Sequence, residues 1–83
     1  MAKFIVTLKP MSAEQVKTAC ANVMAASAGT PLKMDWAYVD EATNQPLCCW
    51  DAPGRKAVED LFARAAQLPE SIRTVGVYRA PGG

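Results

Sequence analysis

The run PLCCWDAPG, residues 46–54, places two thiols, an indole and a carboxylate at consecutive positions. A thiol near a carboxylate is material for a soft-metal site or a nucleophile. The spacing limits both. Neighbouring residues of a strand point to opposite faces, so Cys48 and Cys49 cannot both ligate one ion from a regular strand. They also lack the two-residue gap of a CxxC site. One thiol therefore belongs to the core and the other to a sheet surface. Across a dimer axis, a thiol from each subunit together with Asp51 could bind a soft metal. Asp51 stands just before a turn, where it can cap the following helix, orient a ligand or act as a base, and capping is favoured. Trp36, Tyr38 and Trp50 read as core or interface residues, or in the sharper reading as the lining of an apolar ligand site.

What is missing narrows the chemistry further. The chain contains no histidine. The commonest general base near neutral pH and the commonest transition-metal ligand are both lacking. No Ser/His/Asp arrangement can exist, and the five glycines are too dispersed for a phosphate loop. Nine basic against eight acidic residues give a net charge of +1, with no basic cluster to track nucleic acid or an anionic membrane. Three cysteines, Cys20, Cys48 and Cys49, are an odd count that argues against a disulfide framework. Reduced thiols in a cytoplasm are the expectation. The opening MAKFIVTLKP has too short an apolar run for a secretory signal. No stretch approaches the roughly 20 apolar residues of a membrane span.

Short elements must position these groups. Residues 3–8, KFIVTL, form a first strand with apolar residues on both faces, the mark of a central strand. Ser12 with Gln15 makes a capping box for a helix whose stripe is Val16, Ala19, Cys20, Val23 and Ala26. Gly29 stops it. Residues 32–39, LKMDWAYV, alternate as a second strand. DEATNQ is a polar turn, and PLCCWDA is a third strand paired with the second as a hairpin. A second helix spans APGRKAVEDLFARAAQLP, with Val58, Leu61, Phe62, Ala65 and Leu68 buried and Pro69 as its end. Opposite charges four apart (Arg55–Glu59, Lys56–Asp60, Asp60–Arg64) make its solvated face. Met24 and Met34 read as core gap-fillers. Residues 71–79, SIRTVGVYR, are the last strand, and residues 80–83 a flexible tail.

The order β-α-β-β-α-β is the ferredoxin-like pattern, an α+β domain with a four-stranded antiparallel sheet and both helices on one face. The other face meets water, a ligand or another copy. Alternation assigns it Ile5, Thr7, Trp36, Tyr38 and Tyr78. Eighty-three residues bury only about 60% of the unfolded surface, so self-association through this face is expected.

The chain also resembles a small ferredoxin-like family, largely of unknown function, whose members include a bacterial nickel-binding protein. The resemblance covers most of the chain. It rests on KFIV at the start, WAYV at 36–39, CCWDAP at 48–53, AVEDLFARAAQLPESI at 57–72 and the final strand. Family members show an aromatic-rich strand, a cysteine followed by an aromatic, an acidic residue and AP, then a helix. Cys48, Trp50, Asp51, Ala52 and Pro53 match that run, and Tyr38 and Val39 the earlier one. The match at Cys48 favours it as the site residue, with Cys49 buried near Val58 and Phe62. The residues name no cofactor, a soft transition metal being the candidate, and the resemblance implies the fold and the dimer more than a metal, since a nickel site does not carry over residue by residue. The family often carries a histidine in the second helix, near Leu61 here, and this chain has none to offer. The same fold is similar to dimeric α+β barrels such as small monooxygenases and lactone isomerases.

The expected function is a small, non-catalytic, homodimeric binding protein for a metal or a small apolar molecule. Its site is Cys48, Asp51, Trp36 and Tyr38, and its interface Ile5, Thr7 and Tyr78. The alternatives are a cofactor-free enzyme working in a pocket near the same residues, and a structural or assembly subunit.

Overall fold

The structure is a computed structural model that describes residues 1–78. The expected strand limit at Arg79 and the tail at 80–83 lie outside the described residues. Six elements follow one another: β1 (Ala2–Thr7), α1 (Ala13–Ser27), β2 (Lys33–Asp40), β3 (Gln45–Ala52), α2 (Arg55–Arg64) and β4 (Ser71–Val75). The strands form one antiparallel sheet in the order β2-β3-β1-β4. This is the ferredoxin-like α+β architecture.

Pairing explains why β1 is apolar on both faces, since it lies between β3 and β4. Phe4, Val6 and Leu8 point to the helices and are buried. On β3 the same face carries Cys48, Trp50 and Ala52. From α2 come Val58, Leu61 and Phe62, and from α1 Val16, Ala19 and Val23. Trp50 and Phe62 meet edge to face, with centroids 6.1 Å apart and planes at 81°.

Local signals set the element ends. The capping box forms as the sequence requires: the Gln15 amide donates to Ser12 Oγ at 3.2 Å, and the Ser12 amide donates to Gln15 Oε1 at 2.9 Å. Gly29, at φ 77°, takes the left-handed turn after α1. In the β2–β3 turn the Ala42 amide donates to Asp40 Oδ1 at 2.9 Å, and Asn44 takes φ 58°.

The second helix is shorter than its sequence pattern. It stops at Arg64, because Ala66 turns left-handed at φ 58°. The Ala66 amide donates to the Ala63 carbonyl and the Gln67 amide to the Phe62 carbonyl, which is a Schellman stop. Leu68 is consequently off the buried stripe and 83% exposed, and Pro69 follows the stop instead of making it. Pro53 lies ahead of the N-cap, Gly54. Met24, on the outer side of α1, is exposed, whereas Met34 packs against the core. Two of the three charge pairs on α2 close, Arg55–Glu59 at 3.7 Å and Lys56–Asp60 at 3.4 Å. The last strand ends at Val75, so Tyr78 lies beyond it.

Candidate functional site

The face of the sheet away from the helices carries Lys3, Ile5 and Thr7 from β1, Leu47, Cys49 and Asp51 from β3, and Trp36 and Tyr38 from β2. Register places them together: Ile5 is opposite Cys49, Cys49 opposite Trp36, and Leu47 opposite both Thr7 and Tyr38. The alternation assigned to Ile5, Thr7, Trp36 and Tyr38 therefore holds. Trp36 and Tyr38 remain 64% and 55% exposed.

The two cysteines do face opposite ways, but in the reverse sense to the one favoured by the family match. Cys48 is the buried one. It pairs with Val6, on the helix side, and lies against a small apolar cavity of about 20 Å³ that Phe62, Val23 and Cys20 also line. Burial pushes its thiol up to about 11, against a lowering by the Trp50 hydrogen bond. The Trp50 indole Nε1 donates to Cys48 Sγ at 3.2 Å, so this sulfur is the partner of a fully buried indole. Cys48 is therefore withdrawn from the ligand set. Cys49 is half-buried and opens onto the sheet face. The reason is parity: the core residues Phe4 and Val6 of β1 face Trp50 and Cys48 across the β1–β3 pairing.

Asp51 is not a helix cap. Gly54 holds that position with no side-chain bond, and Asp51 lies within β3. Its carboxylate takes Lys3 Nζ at 2.9 Å, and the same ammonium pairs with Asp35. Lys3 and Asp35 were silent in the sequence. The register slips between Met34 and Trp36, and this bulge brings Asp35 to Lys3. Counted from Trp36 and Tyr38, strict alternation would put Asp35 on the helix side, so a bulge with no sequence signature hides the pair.

Lys3, Asp35, Trp36 and Cys49 border an open groove of about 580 Å³; of the expected site residues only Trp36 lines it, Asp51 and Tyr38 lying on the same face outside it. Its floor is Ile5 and Cys49, Trp36 stands at one side, and the Lys3–Asp35 pair at one margin. The end of β4 and the chain after it form the far wall, with Val75, Val77 and Tyr78. Tyr78 thus borders the groove from outside the strand, and is 96% exposed. Gly76 leaves room for its ring, for a Cβ there would stand 3.3 Å from it. A wider depression of about 770 Å³ at the start of α1 is lined by Ser12, Glu14 and Gln15, where the capping box already satisfies the helix end.

The donors do not fit the candidate metal within one copy. Among the described residues no three His, Cys, Asp or Glu side chains converge as a ligand set. Where Asp35 and Asp51 approach each other, the Lys3 ammonium already supplies the positive charge. Among the described residues no helix is long and apolar enough to cross a membrane.

No family model matches the chain. No curated protein matches it either. Among solved structures, the crystal structure of SCO4226 from Streptomyces coelicolor A3(2) is similar, with a TM-score of 0.79 and 20% identity. The likeness covers 94% of this chain and all of that one. At that identity it shows the fold.

Proposed function

We propose that this chain is a small, non-catalytic binding protein that takes a flat apolar molecule in the groove on the open face of its sheet. The observation that carries this is the groove itself. Its volume of about 580 Å³ is within the range of about 300–1,000 Å³ for small-ligand sites. It offers an indole edge, aliphatic floor and wall, and one ion-paired margin, the mix of apolar area with few polar groups that such sites use. Binding is favoured over catalysis because Lys3 ties Asp35 and Asp51 to itself. Metal binding, and nickel in particular, has less support, since the open face offers Cys49 and Asp51 without imidazole. Three free cysteines fit a reducing, cytoplasmic setting.

The test uses 2-naphthol as a neutral, flat probe, followed through the two indole N–H resonances. The Trp36 signal is expected to move saturably and the Trp50 signal to stay. Trp36→Ala should weaken binding by about three- to tenfold, the worth of one aromatic contact. A probe that leaves Trp36 untouched, or binds equally to Trp36→Ala, removes the groove as the site.

A further inference from the structure

We infer that two copies of this chain join through the outer edges of β2, antiparallel about Ala37, into one continuous eight-stranded sheet. The inference is independent of the ligand and differs from pairing face to face. The strand β2 is an edge of the sheet, is eight residues long, and has no strand on its outer side among the described residues. Every residue from Asp35 to Asp40 is exposed, including Trp36, Tyr38 and Val39. A long apolar edge with unpaired backbone groups is a template for another strand. The other edge is treated differently. There β4 has five residues, and Arg55 of α2 donates from Nη1 to the Ile72 carbonyl at 2.7 Å.

The occupant is identified by the strand's own complementarity. An antiparallel pair related by a two-fold axis normal to the sheet sets residues of the same face opposite one another. With Ala37 opposite Ala37 of the second copy, Trp36 meets Tyr38, and both lie on the open face. The bulge at Asp35 absorbs one residue, as it does against β3. Met34 then meets Val39, both on the helix side, where they already face Trp50 and Pro46. Lys33 meets Asp40, both on the open face, where they already face Asp51 and Gln45. The one register that uses the whole strand thus pairs opposite charges at both ends and aromatics twice at the centre. Opposite charges and aromatic pairs across strands are the contacts that favour pairing. Moving the centre to Tyr38 would set Trp36 against Asp40 and leave Lys33 beyond the paired region. Edge pairing also leaves both grooves open on one side of the sheet.

Sedimentation at high micromolar concentration should give twice the 8.9 kDa chain mass. Lys33→Glu turns both end pairs into repulsions and should weaken the dimer by about tenfold. In a Cys20→Ser, Cys49→Ser background, Ala37→Cys should cross-link rapidly under diamide, because directly opposed residues have Cα atoms about 4.5–5.5 Å apart. Ile5→Cys, at the middle of the open face, should not. Circular dichroism checks that each variant is folded. A chain that stays monomeric overturns the inference. A dimer that cross-links through Ile5→Cys and not through Ala37→Cys overturns it in favour of pairing through the face.

Discussion

At the residue scale, Cys48 and Cys49 are the same side chain one position apart with opposite surroundings. Cys48 accepts the hydrogen bond that the buried Trp50 indole donates, whereas Cys49 borders the groove. Cys48→Ala should cost about 2 kcal/mol in urea unfolding, because a buried donor left without its acceptor costs about 1–3 kcal/mol. Cys49→Ala should stay within about 1 kcal/mol, the ordinary range for a half-exposed site. A thiol reagent on the native protein should modify Cys49 quickly and Cys48 only through opening, read by fragment mass spectrometry. Equal rates at the two would contradict the strand placement. That the two thiols diverge was legible in the sequence, since adjacency in a strand dictates it. Which one is buried was not. The run carries apolar residues of both parities (Pro46, Cys48 and Trp50 against Leu47 and Cys49), and only pairing with Phe4 and Val6 decides between them.

At the element scale, the strands and helices were legible because each carries a period or a cap. The capping box at Ser12, the polar turn after β2 and the hairpin all form where the sequence puts them. The end of α2 was not legible. Helix pattern and good helix formers continue through Ala66 and Gln67, and no glycine marks the stop. The Schellman turn forms on Ala66 even so, with a Cβ in the left-handed region that costs roughly 1–2 kcal/mol. Ala66→Gly removes that cost at an exposed position and should stabilise the fold by up to about 1 kcal/mol. Ala63→Gly, three residues earlier inside the helix, should destabilise by a similar amount. Opposite signs at 63 and 66 in thermal unfolding would establish where the helix stops. The same sign at both would mean that the helix runs on towards Pro69. The bulge at Asp35 is the second feature the sequence hides, and it creates the Lys3 cluster.

At the scale of the whole molecule, two helices cover one side of the sheet, and the other side is left to a groove and an exposed strand edge. The fold was readable from element order alone. The site was readable only in part: Trp36 and Tyr38 share the open face as their parity implies, Asp51 reaches it as a strand residue and not as the expected helix cap, Cys48 does not, and Lys3 and Asp35 join through a tertiary ion pair. The single core that results is closed to charge, for among the described residues it holds no buried polar or charged side chain. This gives global stability a specific alkaline limit. The Cys48 thiol titrates at about 11 in the fold, against 9.0 for a free thiol, because burial disfavours the thiolate. Between those values the unfolded chain releases this proton and the folded chain keeps it. The unfolded state therefore binds fewer protons, and stability falls as pH rises from about 9 to about 11. Below pH 9 the thiol contributes no pH dependence. The loss amounts to roughly 2–3 kcal/mol, from 1.36 kcal/mol for each unit of difference. Lysines and tyrosines titrate in the same window, so the comparison that isolates the thiol is between chains. Urea unfolding of the wild type and of Cys48→Ala should be followed from pH 8 to pH 11. The wild type should lose its stability advantage over the variant progressively across that interval. Parallel curves would show that the Cys48 thiolate forms in the folded protein as readily as in the open chain, and that the core around Trp50 admits charge.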